Sequence, residues 1–120
     1  KITLDGYSVA AANSRCYGGG LYLAPEANIQ DGILEAVLVG AMSKLKLFSK
    51  IMNLYMAKPI KDKAVIRKKF NIMTVLTDEP EDVYADGDLI AKTPVKITVK
   101  KQCLRILGLE DNRGGFVSAL

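Results

Sequence analysis

Three short segments of this 120-residue chain carry residues whose types and spacing could do chemistry: Gly18-Gly19-Gly20, Asp31-Gly32, and Asp86-Gly87-Asp88. Glycines reach positive φ and let a ligand or another backbone come close, so the triplet suits a bulge, a tight turn or a phosphate cradle. It lacks the strand-to-helix setting of a dinucleotide fingerprint, and no helix follows to lend a phosphate its N-terminal dipole. Asp31 stands where the Pro25–Gly32 loop meets an apolar run. A carboxylate there, beside free loop carbonyls, offers the hard oxygen donors magnesium prefers, and it equally suits a turn aspartate bonded to its own backbone. Asp86 and Asp88 fit a general base or metal-binding acids, and they also fit a hairpin turn. In a strand they would share a face, whereas a turn at Gly87 would aim them apart. Spacing alone does not choose.

The elements that must position these residues are mostly strands. Short β-branched and aromatic runs punctuated by Gly, Pro or Asp predict strands over Ser8–Ala12, Gly20–Ala24, Ile33–Val39, Ala64–Lys69, Asn71–Leu76, Val83–Ala85, Leu89–Lys92, Val95–Lys100 and Cys103–Leu107. Asp86-Gly87 between two of them is a hairpin signal. One stretch departs from this pattern: Leu45, Phe48, Ile51, Met52 and Tyr55 fall at helical spacing within Ser43–Met56, with Ser43 as N-cap. The expected fold is mainly β, a two-sheet β-sandwich-like domain with one amphipathic helix covering an end or edge. That helix is expected to pack on the core. Residues 1–107 form the domain, and residues 108–120 lose periodicity and read as a frayed tail.

Composition narrows the chemistry. The chain has no histidine and two cysteines without Cys-x-x-Cys spacing, which argues against a zinc site and excludes Ser-His and Cys-His nucleophilic schemes. Cys16 and Cys103 stand in apolar sequence and read as buried, reduced thiols, which favours a cytoplasmic setting. Apolar runs are short of the roughly 20 residues that span a bilayer. The chain opens on Lys1 rather than methionine, and is expected to be a fragment. The formal charge of +4 is uneven, with six basic residues against Asp62 alone between Lys58 and Lys69. That run suits a solvated face or an anionic membrane surface. Few aromatics interleave with it, which argues against nucleic acid.

In order, Asn13, Gly18-Gly19-Gly20, Ala24-Pro25, Ala27, Asp31-Gly32 and Ile33-Leu34, then Asp86-Gly87-Asp88, Thr93-Pro94 and Cys103-Leu104-Arg105-Ile106-Leu107 resemble the C-terminal domain of the diacylglycerol kinase-like lipid kinases. That family includes bacterial diacylglycerol kinases and sphingosine kinases. No Gly-Gly-Asp-Gly-type nucleotide loop occurs in the chain, so the resemblance implies the second domain of a two-domain kinase whose N-terminal domain binds ATP. The reaction it implies moves the ATP γ-phosphoryl group to a lipid hydroxyl, as in diacylglycerol or a sphingoid base, and this segment by itself is expected to be inactive.

The resemblance further implies roles for particular residues. Asp88 falls on the acid that accepts the hydroxyl proton. Asp31 matches the magnesium-linked aspartate, with backbone oxygens at Asn28 and Ile33 as co-ligands, and Gly18, Gly19, Gly20 and Asp86 would line the cleft toward the nucleotide. Asp88 departs from the family's usual glutamate by one carbon-carbon bond, roughly 1.5 Å, and a misplacement of about 1 Å can cost about a hundredfold in rate. The expected partners are a lipid substrate, the nucleotide-binding domain and, transiently, an anionic membrane surface, with a homodimer open through unpaired edge strands. The alternative from another class is a non-catalytic lipid- or membrane-binding β-module using Lys58–Lys69 and the helix around Phe48 and Tyr55.

Overall fold

The computed structural model describes residues 1–18, 20–56, 60 and 62–103, together with the backbone of 110–111 and 115–116. Its centre is a three-stranded antiparallel sheet in the order β1 (Gly6–Ala12), β2 (Leu34–Gly40), β3 (Val65–Phe70). β2 reads Leu-Glu-Ala-Val-Leu-Val-Gly, a nearly unbroken apolar run, as a central strand covered on both faces requires. Ala36 and Val37, which point to opposite faces, are both buried. Register places Ala10, Val37 and Arg67 side by side on one face, with Ala12, Glu35 and Lys69 beside them. Ala24 and Ala27 pack on Val37, with Ala12, Leu23 and Val65 around them. The loop after the glycines is therefore part of the core.

Helix α1 (Lys44–Tyr55) follows β2. Ser43 caps it, its hydroxyl accepting the Lys46 N–H at 3.4 Å, and Leu47, Ile51 and Leu54 turn toward the sheet. Two further ties hold the helix down. Tyr22 N–H donates to the Leu54 carbonyl, and Asp62 takes Lys46 at 3.0 Å and Lys50 at 3.3 Å. The remaining strands pair as antiparallel ladders: β4 (Ile72–Val75) with β7 (Val95–Thr98), β5 (Asp82–Ala85) with β6 (Asp88–Lys92), and β8 (Glu110–Asp111) with β9 (Gly115–Phe116). Among the described residues the fold is mainly β, sandwich-like, with one helix.

Four expectations need correction or bounding. Residues 20–24 form no strand: Tyr17 and Leu21 bridge across a tight turn, and Leu23 and Ala24 then dive into the core. Cys16 and Cys103 are free but exposed, because Cys16 lies in the bend after β1 and Cys103 follows a turn in which Gln102 takes φ 51°. Arg67, counted with the solvated basic run, instead turns inward toward the sheet face. Gly19, Lys58, Lys61, residues 104–107 of the last predicted strand, and most of the tail lie outside the described residues.

Candidate functional site

The glycine turn is built by backbone geometry. Tyr17 and Leu21 exchange both backbone hydrogen bonds, at 2.8 and 3.2 Å, while Gly18 and Gly20 take φ 54° and 109°. Nothing lies within 4 Å of where a Cβ would stand on either glycine. Conformation rather than crowding demands glycine here, and the turn leaves open space beside the backbone.

At the Asp31 loop the residues organise themselves. Asp31 N–H donates to the Asn28 carbonyl at 3.3 Å, Asn28 Oδ1 accepts Gln30 N–H at 3.0 Å, and Asp31 Oδ1 accepts Ile33 N–H at 2.9 Å. The carboxylate is exposed and oriented by the turn it caps. Gly32 takes φ 65°, and a Cβ there would meet the Lys101 stem at 2.9 Å. A lysine from the end of the β4–β7 ladder thus lies against the Asp31 loop.

Asp86-Gly87 closes the β5–β6 hairpin with φ 51° and 100°, the two positive values of a type I′ turn. Asp88 is the first residue of β6, opposite Ala85, so Asp86 and Asp88 are separated by the turn instead of sharing a strand face. Both are exposed. The hairpin is secured at its far end by Thr93, which is buried. Thr93 N–H donates to Glu81 O at 2.9 Å, Glu81 N–H donates to Thr93 Oγ1 at 2.8 Å, and the hydroxyls of Thr77 and Thr93 are bonded.

Between α1 and the three-stranded sheet runs an apolar cleft of about 250 Å³, walled by Leu23, Val37, Val39, Leu47, Ile51 and Leu54. Arg67 lies at this cleft. It donates to Ile60 O at 3.1 Å and Leu23 O at 3.4 Å, and its Nε is 3.7 Å from Glu35 Oε1. Glu35 is buried, and desolvation lifts its pKa against the opposing pull of Arg67. Gly18, Gly20, Asp31, Asp86 and Asp88 are not among the residues of this cleft. The structure therefore carries the predicted residues on three exposed turns, none of which lines the apolar cleft.

Residues 1–108 match the family described as the YegS C-terminal NAD kinase β-sandwich-like domain. The chain belongs to that family. It is 30% identical over 116 residues to the diacylglycerol kinase of Mycobacterium tuberculosis, covering 89% of this chain and 37% of the relative. It is 28% identical over 102 residues to the candidate lipid kinase YtlR of Bacillus subtilis, covering 85% and 33%. The crystal structure of a candidate diacylglycerol kinase from Bacillus anthracis superposes with a TM-score of 0.64 at 20% identity, over 78% of this chain and 32% of that one. The chain thus spans about a third of the length of the curated relatives it matches.

Within this YegS C-terminal domain, three groups escaped the sequence reading. Lys101 has no motif around it, and only its contact with Gly32 marks it. Glu35 interrupts an apolar run, which is the signal a buried charge leaves. Arg67 was hidden in a run of surface lysines, although its position opposite the apolar Val37 placed it on the inner face once β2 and β3 were paired. No group of three acidic, histidine or cysteine side chains converges among the described residues, so a cation at Asp31 would need carbonyls and water to complete its oxygen shell. The donors there are all hard oxygens on an exposed loop, which is the chemistry magnesium takes. Among the described residues no helix is long and apolar enough to cross a membrane.

Proposed function

We propose that this chain is the lipid-substrate and catalytic-acid domain of an ATP-dependent lipid kinase. The reaction moves the γ-phosphoryl group to a lipid hydroxyl such as that of diacylglycerol or a sphingoid base. The observation that carries the reading is the family match across residues 1–108, in a chain whose motif acids Asp31 and Asp88 both stand exposed on turns.

Phosphoryl transfer asks the protein for alignment, charge neutralisation and a proton acceptor rather than covalent chemistry. Asp88 takes the proton of the lipid hydroxyl as that oxygen bonds to γ-phosphorus and the bond from γ-phosphorus to the departing ADP oxygen breaks. The open backbone at Gly18 and Gly20, together with Gly19 and Asp86 of the same motifs, would line the cleft toward the nucleotide, which the N-terminal domain would hold. Asp31 with the backbone oxygens of Asn28 and Ile33 would hold magnesium, which supplies neutralisation of phosphate charge. The apolar cleft between α1 and the sheet offers walls for acyl chains, whose recognition needs little beyond apolar surface.

The test is transfer of label from radiolabelled ATP, with magnesium, to a panel of lipids by the full-length protein, followed into the organic phase. Collapse in Asp88→Ala and in Asp31→Ala supports the reading. Absence of transfer to every lipid by a folded, vesicle-binding protein favours the non-catalytic membrane module, for which the aspartate in place of the usual glutamate at 88 is the specific argument. Restoring the longer acid with Asp88→Glu separates the cases further: a large gain marks an impaired kinase, and a loss marks a backbone adapted to aspartate.

A further inference from the structure

Helix α1 is apolar on more of its circumference than its own domain uses. Leu47, Ile51 and Leu54 face the cleft. On the opposite side Leu45, Phe48, Met52, Tyr55 and Met56 are 86%, 66%, 47%, 56% and 60% exposed. The spacing of the first four is three, four and three residues, so they form one continuous stripe along the helix. The polar strip is narrow, and its two lysines, Lys46 and Lys50, turn to Asp62. A stripe of five large apolar side chains in water is a contact surface awaiting its partner.

Charge identifies the partner. From Ala41 to Phe70 the chain carries nine basic residues and one acid, whereas the remainder carries eight basic and twelve acidic residues. The one acid, Asp62, is already engaged by two lysines. Six acids and no basic residue fall between Asp78 and Asp88, so charge is segregated along the sequence, and the helix that carries the apolar stripe lies within the basic segment. A second copy meeting this face about a two-fold axis would bring the two positive segments together, which like-charge repulsion opposes. Leucine, phenylalanine and tyrosine on one side of a lysine-bearing helix form the pattern of a helix lying in a lipid interface. Twelve residues rise about 18 Å, too short to span a bilayer of about 30 Å and suited to lying flat in one leaflet.

We infer that α1 docks the domain on an anionic phospholipid surface through Leu45, Phe48, Met52 and Tyr55, with the flanking basic residues at the headgroups. The inference deepens the lipid-kinase reading and rests on it for its purpose, since the inner face of the same helix walls the apolar cleft. Docking itself is measurable without phosphoryl transfer.

The chain has no tryptophan, so Phe48→Trp in the full-length protein places a probe on the stripe, read as a difference from the unsubstituted protein. The probes are vesicles of phosphatidylcholine alone and vesicles with about a third phosphatidylglycerol, each with and without brominated acyl chains. The expected result is a water-exposed emission in solution. On anionic vesicles it shifts to the blue and is quenched by bromine, and the binding weakens as salt rises. Replacing Leu45, Phe48 and Met52 together by serine should weaken vesicle binding at least about tenfold while circular dichroism and the melting temperature hold.

Emission that is already blue-shifted without vesicles overturns the inference, because another part of the protein or a second copy then covers the stripe. Undiminished binding by the triple-serine variant overturns it too, as does indifference to phosphatidylglycerol. Transfer from ATP to a detergent-dispersed lipid reads the kinase separately. Its absence with docking intact sinks the kinase reading alone, and its presence without docking sinks this one alone.

Discussion

Arg67 sets its Nε 3.7 Å from Oε1 of the buried Glu35, diagonally across the β2–β3 ladder, while its other nitrogens donate to the carbonyls of Ile60 and Leu23. One guanidinium thus fastens the sheet to the loop after the glycine turn and to the chain entering β3. Neither Glu35 Oε2 nor Arg67 Nε has a hydrogen-bond partner among the described residues, so the pair is an incompletely compensated buried charge. Removing one partner is costlier than removing both. Arg67→Met should destabilise the fold by about 3 kcal/mol, and the double change Arg67→Met with Glu35→Met should recover part of that loss. Denaturant melts of the four proteins in the cycle measure both.

Asp62 gives α1 a pH dependence of definite sign. The Ala64 N–H first, then Lys46 and Lys50, hold its carboxyl at a pKa of about 2 against an ordinary 3.8. Folding favours the charged form, so its contribution is complete above about pH 4 and is lost as pH falls toward 2. The melting temperature of Asp62→Asn should lie below that of the natural chain at pH 7, and the two should converge near pH 2. Equal melting temperatures at pH 7 would show that the two lysine contacts do not anchor the helix.

Gly32 carries both a positive φ of 65° and the Lys101 stem against its open side. Alanine there adds the left-handed strain of roughly 1–2 kcal/mol and pushes Lys101 away. Gly32→Ala should lower the melting temperature by several degrees. Gly18→Ala, where nothing crowds the added carbon, carries the backbone strain without a displaced neighbour.

The Thr93 knot should be separable from the rest of the fold. Thr93→Val keeps the shape and removes the hydroxyl that accepts Glu81 N–H, at a cost of about 1–3 kcal/mol. Amide exchange should accelerate along β5 and β6 before it does in β2. Uniform acceleration across both regions would mean the hairpin opens only with the whole domain.

Where local pattern and tertiary structure agree, the chain was readable. The period of α1, the Ser43 cap and the Asp86-Gly87 turn are set within a few residues, and β1 to β7 lie close to where β-branched runs predicted them. The misreadings share one cause, which is that partners distant in sequence decide burial. Gly20–Ala24 look like a strand, yet no ladder receives them, and Val37 and Val65 draw Leu23 and Ala24 inward. Arg67 stands among lysines in the chain but opposite Val37 in space. Asp31 was legible as a carboxylate at a loop end, whereas the Lys101 contact and the apolar cleft required knowing which ends meet. Cys16 was judged from an apolar neighbour that is itself exposed, Tyr17 at 60%.

The β5–β6 hairpin is held at Thr93 and reaches away from that knot through five residues to Asp88, about 16 Å at strand rise. Its geometry is that of a lever, with the fulcrum at the buried threonine and Asp88 near the far end. A tilt of about 5° there carries Asp88 through the roughly 1.5 Å that separates an aspartate from a glutamate. On the role proposed for Asp88, a tilt of that size would restore the reach that the shorter side chain lacks.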